Sequence, residues 1–265
     1  TNVNAAHCCN LPLGFNLVQG CTVPVVYCTA FWALHDLVRL SNKDVVLIHN
    51  CAGGVGLVAV QIAKQAGAKV VGTASKEKTQ FLLDLGVDAV LNSRSAADFR
   101  QGLAEAVNSF GKLTAVLSSL SEEFIKISIG HLDNGGAFVE LGKRYAHVIQ
   151  QLRAERPDIV FHELALDALA ANDPQRFHDL LDEVCQKITC GFLRSLPIRL
   201  YDFYSDFKSA FDQLKTGTNV GKVVLSVKQE TDKRIDLGAF TFIITGGTGG
   251  LGVETANVLL SSGVS

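Results

Sequence analysis

The fold is decided by residues 45–75, which read VVLIHNCAGGVGLVAVQIAKQAGAKVVGTAS. Residues 45–50 and 69–74 are nearly continuous apolar runs, which are typical of parallel strands that are covered on both faces. Between them, the apolar residues of 57–66 recur at the spacing of one helix face. The stretch therefore predicts a strand, a glycine-rich turn, a helix and a second parallel strand.

The same alternation continues along the chain in both directions. An apolar helix is predicted over 22–40, and further strand-like runs occupy 88–92, 113–119, 137–142 and 159–166. Alternating strands and helices predict an α/β fold with a doubly wound parallel sheet. After this unit we expect a helix from 174 to about 190, a strand at 196–202, a helix near 206–216 and a strand at 221–227.

The glycine-rich turn carries most of a dinucleotide-binding fingerprint. In Cys51-Ala52-Gly53-Gly54-Val55-Gly56, Gly53 and Gly56 fill the second and third glycine positions, and Cys51 stands in the first. The second glycine lets a pyrophosphate approach the backbone, and the following helix offers free N–H groups to it. Cys51 is expected to add bulk beside the pyrophosphate. A purely structural glycine turn is the alternative, but the strand–turn–helix setting favours a nucleotide site at Gly53, Gly54, Val55 and Gly56.

The end of the second strand indicates which nucleotide is bound. NAD sites usually place an Asp or Glu there for the ribose hydroxyls. Here the sequence reads GTASKEK (72–78), so hydroxyl residues and two lysines take that place. Ser75 and Lys78 would suit a 2′-phosphate, which predicts NADPH. The alternative is an ordinary solvated lysine pair at the start of a helix.

Composition excludes several classes of protein. Apolar residues make up 48% of the chain, charged residues make up 19% and the formal net charge is −2. A sizeable core is therefore expected, and nucleic acid or an anionic membrane is not expected as a main partner. Seven cysteines without a CxxC pair fit neither a disulfide framework nor a zinc site. We expect reduced, mostly buried thiols in a cytoplasmic protein, no metal site, and a packed or hydrogen-bonded His49.

Several separate motifs resemble one known family. Together with the glycine turn, VPVVYCTAFWAL (23–34), FVELGK (138–143), VFHELALD (160–167) and NVGKVVL (219–225) resemble the enoyl reductase domain of polyketide synthases and animal-type fatty acid synthases. That domain belongs to the zinc-free medium-chain dehydrogenase/reductase superfamily. The resemblance covers about residues 5–227. It implies a Rossmann nucleotide-binding domain at about 20–170, followed by the C-terminal strands of a GroES-like catalytic domain whose N-terminal half normally precedes this segment.

The C-terminal residues resemble the start of another domain. FIITGGTGGLG (242–252) is similar to the opening of the ketoreductase domain that follows the enoyl reductase in such synthases. The polar residues 228–239 resemble a linker. The expected organisation is an enoyl reductase segment (1–227), a linker (228–239) and the truncated start of a neighbouring ketoreductase in the same polypeptide (240–265).

The resemblance also implies a reaction and its residues. The family reduces the α,β-double bond of an enoyl thioester on an acyl carrier protein, with hydride added at the β-carbon and a proton at the α-carbon. Lys143 and Asp167 match the family's proton-donor candidates. The matching cofactor positions are Ser75 and Lys78 at the 2′-phosphate, Ser93 and Arg94 at the adenosine end, Ser118 where the family commonly has Asn, and Gly142 near the nicotinamide.

Residue chemistry alone leaves alternatives open. Lys143 would equally be a surface lysine, Asp167 the first residue of a helix and Arg94 a solvated loop charge. Tyr27 and Thr29 would face the cofactor crevice or serve helix packing. At the level of function, a stand-alone NADPH-dependent quinone or enone reductase and a non-catalytic nucleotide-binding module remain alternatives. If catalysis requires the N-terminal half of the domain, this segment would bind the cofactor without full activity. The pattern is also compatible with a homodimer.

Overall fold

The computed structural model describes residues 3–142, 144–227 and 250–261. The helices are α1 (Leu17–Gly20), α2 (Val23–Phe31), α3 (Gly54–Gln65), α4 (Thr79–Asp84), α5 (Ala96–Phe110), α6 (Glu122–His131), α7 (Ala146–Glu155), α8 (Leu166–Asn172), α9 (Pro174–Thr189), α10 (Phe203–Thr216) and α11 (Gly250–Ser261). The strands are β1 (Val45–Ile48), β2 (Lys69–Ala74), β3 (Ala89–Asn92), β4 (Leu113–Ser118), β5 (Leu132–Glu140), β6 (Val160–Glu163), β7 (Ile198–Asp202) and β8 (Lys222–Ser226).

Six of these strands form one parallel sheet. Their order is β3-β2-β1-β4-β5-β6, so the strand order reverses between β1 and β4. All six carboxyl ends therefore meet at one edge, and a crevice opens beyond that edge at the reversal point. This arrangement confirms the predicted doubly wound α/β fold.

The sheet is covered on both faces, which explains why its strands are continuously apolar. Val46 and Ile48 of β1 pack in one core with α2, α3 and α9. The alternate residues Val45 and Leu47 pack in a second core with α5, α6 and α7, around Phe138. Because successive strand residues point to opposite faces, each strand contributes to both cores.

Polar side chains mark where several helices begin. Ser95 accepts a hydrogen bond from the Asp98 N–H before α5, Asp173 accepts one from Arg176 before α9, and Asp202 accepts one from Tyr204 before α10. Each cap satisfies a backbone donor that the first helical turn leaves unpaired. These caps fix the start of α9 at Pro174, as the sequence pattern predicts, and the start of α10 at Phe203, three residues before the predicted start near 206.

The last strand pair is joined to the glycine turn. β7 and β8 run parallel and are connected by α10. Just before β8, the Gly221 N–H donates a 2.9 Å hydrogen bond to the Ala52 carbonyl. Gly221 has φ +71°, and a side chain there would collide with the Pro197 carbonyl, so only glycine fits. β7 and β8 occupy the segments that the resemblance assigns to the catalytic domain, and that domain division stays a prediction.

The C-terminal prediction falls mostly outside the described residues. The linker 228–239 and most of the segment 240–265, expected as the start of a ketoreductase domain, lie there. Within that segment, the described residues form α11. Among the described residues, no helix has the length and apolar character that a membrane span requires.

The expectation of mostly buried cysteines is wrong in part. All seven thiols are free, but Cys8, Cys21 and Cys190 are exposed. Each of these three cysteines is the C-cap of a helix. Cys8 follows the short 3₁₀ helix Ala5–His7, Cys21 follows α1 and Cys190 follows α9. Helix ends lie at the surface, so the apolar character of cysteine does not bury it there.

Candidate functional site

The glycine turn brings the start of α3 to the carboxyl edge of the sheet. Asn50, two residues after the end of β1, adopts the left-handed conformation with φ +49°, and Gly53 N-caps α3 without a side-chain hydrogen bond. Because no side chain caps the helix, its first N–H groups are available to a ligand. A helix N-terminus with free N–H groups binds phosphate readily.

Close backbone packing requires glycine at one position of the fingerprint, Gly56, whereas at Gly53 the nearest atom belongs to the Asn50 side chain. A Cβ at Gly56 would lie 2.5 Å from the Asn50 carbonyl oxygen and 2.6 Å from that of Cys51. A Cβ at Gly53 would lie 2.9 Å from Asn50 Nδ2. The structure brings Gly53, Gly54, Val55 and Gly56 together at the start of α3, as the motif predicts.

The expectation that Cys51 adds bulk beside the pyrophosphate is wrong. Cys51 is fully buried, and its Sγ occupies the space beside Gly72 on β2. A Cβ at Gly72 would lie 2.8 Å from this sulfur, so the two residues are complementary in size. Burial raises the pKa of the Cys51 thiol to about 12. The side chain therefore fills the core beneath the turn.

The residues predicted for the 2′-phosphate, Ser75 and Lys78, lie together with those predicted for the adenosine end, Ser93 and Arg94, at the ends of β2 and β3. Ser75, Lys78, Ser93 and Arg94 line one cavity of about 260 Å³. The Lys78 ammonium also donates 2.7 Å hydrogen bonds to the carbonyls of Gly217 and Asn219. Since an ammonium carries three donors, one remains for a ligand. Partial burial and the nearby Arg94 lower the pKa of Lys78, while Glu77 opposes this effect.

Glu77 belongs to the same cluster and was missed from the sequence. The neighbouring Ser75 hydroxyl, with Arg94 and Lys78 nearby, lowers the pKa of the exposed Glu77 carboxylate. The position between two lysines would have been the signal. Glu77 therefore adds one anion beside a cavity that is lined by three cations, Lys78, Arg94 and Lys215.

On the other side of the reversal point lies a second, more apolar cavity. It has a volume of about 380 Å³, and Thr29, Leu141, Leu164 and Asp167 are among the residues that line it. Asp167 lies in the first turn of α8, which confirms that it stands at the start of a helix. This turn follows β6, so it lies at the carboxyl edge of the sheet, as expected. Lys143, the other proton-donor candidate, lies outside the described residues.

Tyr27 and Thr29 have different surroundings. Tyr27 is fully buried and donates a 2.9 Å hydrogen bond to the Arg194 carbonyl, so its placement in the crevice is wrong. Burial raises its pKa to about 12. Thr29 lies two residues further along α2 and lines the apolar cavity. Neighbouring residues on a helix point in different directions, which the motif alone does not resolve.

Ser118 and Gly142 lie at the ends of β4 and β5. Ser118 is fully buried, and its Oγ has no hydrogen-bond partner among the described residues. The Gly142 N–H donates a 2.9 Å hydrogen bond to Glu140 Oε1. Gly142 and Glu140 both line a third cavity, of about 440 Å³, beside the β4–α6 loop.

His49 is a structural residue, as expected. Its Nδ1 accepts the Ser119 N–H at 3.3 Å, and its Nε2 lies 3.1 Å from Ser128 Oγ, which itself donates to the Phe124 carbonyl. Burial lowers the pKa of His49 to about 3, so the ring is neutral. Both ring nitrogens are satisfied, and the ring has no free atom for catalysis.

The donor set fits a phosphorylated dinucleotide. The uncapped start of α3 suits a pyrophosphate, and the hydroxyl and cations near Ser75 suit a further phosphate. The apolar cavity beside Asp167 suits an aromatic ring. Over 3–142, 144–227 and 250–261, no three His, Cys, Asp or Glu side chains group in a way that would hold a metal ion.

Comparison with known proteins agrees with this geometry. Residues 54–186 match the family model described as zinc-binding dehydrogenase. The pikromycin polyketide synthase component PikAII of Streptomyces venezuelae is 37% identical over 243 residues, which are 91% of this chain. The chain spans only 6% of that protein's length.

Two solved structures are similar in both sequence and fold. CurK enoyl reductase is 33% identical with a TM-score of 0.74, covering 81% of this chain and 64% of that one. The nucleotide-binding subdomain of the enoylreductase domain of PpsC from Mycobacterium tuberculosis is 37% identical with a TM-score of 0.59. That match covers 66% of this chain and 98% of the subdomain. Similarity to these enoyl reductases implies that the chain binds a nicotinamide cofactor. The chain belongs to the zinc-binding dehydrogenase family and, within it, to the enoyl reductase domains of polyketide synthases.

Proposed function

We propose that this chain takes part in the NADPH-dependent reduction of the α,β-double bond of an enoyl thioester carried on an acyl carrier protein. The observation that carries the proposal is the cluster of Ser75, Lys78 and Arg94 around one cavity beside the glycine turn. A hydroxyl and two cations suit the 2′-phosphate that distinguishes NADPH from NADH. Membership among the enoyl reductase domains of polyketide synthases supports the reaction and its place in polyketide biosynthesis.

The chain's own residues would hold the cofactor in two places. The N–H groups at the start of α3, beside Gly53 and Gly56, bind the pyrophosphate. Ser75, Lys78 and Arg94 bind the 2′-phosphate at the ends of β2 and β3. The nicotinamide then lies toward β4, β5 and β6, because the two halves of a dinucleotide bind on opposite sides of the reversal point.

Proton transfer would fall to residues on the nicotinamide side. NADPH, when bound, supplies a hydride for the β-carbon of the enoyl group. Lys143 donates the proton that the α-carbon needs, and it stabilises the negative charge that develops on the thioester oxygen. Asp167, at the apolar cavity, pairs with the lysine and adjusts its pKa. The neighbouring ketoreductase and homodimerisation stay predictions of the resemblance.

Coenzyme preference tests the 2′-phosphate site. We expect Arg94→Ala to weaken NADPH binding by about tenfold, since one charge-assisted hydrogen bond contributes about 1.5 kcal/mol. NADH, which lacks the 2′-phosphate, should bind the variant as it binds the wild type. Titration calorimetry of both nucleotides measures the two dissociation constants.

Lys76→Ala is the matched control for this test. Lys76 is an exposed cation in the same segment and does not line the cavity. It should leave the affinity for NADPH nearly unchanged. Equal affinity of the wild type for NADPH and NADH would contradict the proposed cofactor.

Turnover tests the proton donor. We expect Lys143→Ala to slow reduction of a crotonyl-pantetheine thioester by on the order of tenfold, because Asp167 remains as a second acid. NADPH affinity should not change. The exposed Lys126, which pairs with Glu122, provides the control variant Lys126→Ala. A quinone that is reduced faster than the thioester would contradict the proposed substrate class.

A further inference from the structure

Glu140 is a buried carboxyl group with only one of its oxygens paired. It is the last residue of β5 and has 2% of its surface exposed. Oε1 accepts the Gly142 N–H at 2.9 Å, whereas Oε2 is buried and has no hydrogen-bond partner among the described residues. An unpaired buried polar atom costs free energy, so its presence calls for an explanation.

The neighbours of Glu140 on both adjacent strands are polar. In the sheet register, Glu140 lies opposite Ser118 of β4 and Glu163 of β6. Ser118 Oγ is the second buried atom at this edge without a partner in the described part of the chain. Residues that pair in a parallel sheet point to the same face. Two adjacent unpaired polar groups thus lie directly beneath the turn that leaves β5.

Glu140 keeps its proton to a higher pH than an ordinary glutamate. Burial raises the pKa of Glu140, and the nearby charge of Glu163 adds to the rise. The Gly142 N–H opposes it, as does the Ser118 hydroxyl, although this hydroxyl does not reach hydrogen-bonding geometry. The protonated acid resembles an amide in shape and charge, so glutamine is its closest substitute.

The turn after β5 is packed against this carboxyl group. A Cβ at Gly142 would lie 3.0 Å from Glu140 Oε1, so the backbone of Gly142 is held close to the acid. This turn leaves β5 at the carboxyl edge, on the side of the reversal point opposite Ser75 and Arg94. Without an acceptor in place of Oε1, the Gly142 N–H would lose its partner and the turn would be free to change its conformation.

We propose that Glu140 is a positioning residue for the nicotinamide half of the cofactor, acting through the hydrogen bond between its Oε1 and the Gly142 N–H. This inference rests on the proposed function, because it takes the bound molecule to be a nicotinamide dinucleotide. Glu140 acts through the Gly142 turn. Its effect should therefore be confined to ligands that carry the nicotinamide half.

Two ligands and two variants of Glu140 test this role. NADPH carries both halves of the dinucleotide, whereas 2′,5′-ADP carries only the adenosine half with its 2′-phosphate. We expect Glu140→Leu to weaken NADPH binding by about tenfold, the effect of one hydrogen bond, and to leave 2′,5′-ADP binding unchanged. Glu140→Gln should restore NADPH affinity, because its amide oxygen accepts the Gly142 N–H. Unchanged 2′,5′-ADP binding also demonstrates that the leucine variant folds.

Hydrogen exchange gives a second readout that requires no cofactor. The Gly142 amide should exchange faster in Glu140→Leu than in the wild type and in Glu140→Gln. Glu163→Gln is the control, since Glu163 is the exposed neighbour on β6 and pairs with Arg153. It should leave both affinities and the Gly142 exchange rate unchanged.

Several outcomes would overturn the inference. Equal NADPH affinity of Glu140→Leu and the wild type would do so, as would an equal loss for NADPH and 2′,5′-ADP. A glutamine variant as weak as the leucine variant would exclude the Oε1 hydrogen bond as the cause. If the wild type binds neither nucleotide, the proposed function itself fails, and this result is seen before Glu140 is changed.

Discussion

Replacing Gly56 with alanine is expected to lower the free energy of unfolding by about 3 kcal/mol. The added Cβ would lie 2.5 Å and 2.6 Å from two backbone carbonyl oxygens, those of Asn50 and Cys51. Backbone atoms at the end of a buried strand cannot move aside as a flexible side chain can. Either α3 shifts away from β1 or the turn distorts. Urea unfolding followed by circular dichroism measures the change.

Gly130 provides the matched control for this substitution. It lies within α6, and a Cβ there would meet no atom within 4 Å. Gly130→Ala should therefore raise stability by about 0.5–1 kcal/mol, because alanine favours the helix and restricts the unfolded chain. Similar effects of the two substitutions would show that close packing at Gly56 is not what requires glycine.

His49 should make the protein sensitive to mild acid. Burial lowers its pKa to about 3 in the folded chain, while the unfolded chain has an ordinary histidine with a pKa of about 6.5. The unfolded state therefore binds more protons between these values, and stability is fully present above about pH 6.5 and lost as the pH falls. We expect a loss of about 2 kcal/mol between pH 7 and pH 5.

A variant that does not titrate tests the source of this loss. In His49→Asn, the amide oxygen can still accept the Ser119 N–H, although the contact with Ser128 is lost. The variant should be less stable at pH 7 but should lose about 2 kcal/mol less than the wild type on acidification to pH 5. His131→Asn, at a half-buried histidine that contacts the Ile127 carbonyl, is the control. A wild type whose stability is flat over this range would contradict the prediction.

Features set by local pattern could be predicted from the sequence. The continuous apolar runs gave the six parallel strands, because a sheet covered on both faces leaves no polar alternation. The packing role of Gly56 also followed from its motif position, since the spacing of the fingerprint reflects the contact between helix and strand. Strand limits were less exact: β5 begins at Leu132, before the predicted start at 137.

Features set by partners distant in sequence could not be predicted. Whether Cys51 points to the pyrophosphate or to the core depends on the space beside Gly72 on the next strand. Lys78 donates to carbonyls 139 and 141 residues away, which no local pattern encodes. Glu140 did leave a signal, a charged residue inside an apolar strand, but only the fold shows that one of its oxygens is unpaired.

The bond between Gly221 and Ala52 matters for redesigning coenzyme choice. Together with the contact of Lys78 with Gly217, it joins the end of α10 and the start of β8 to the cavity that Ser75, Lys78 and Arg94 line. Exchanging only the residues that follow β2 would leave Lys215, Thr216 and Gly217 of this cavity unaltered. If the proposed preference for NADPH holds, a switch to NADH would therefore need paired changes in both segments, selected together as one unit.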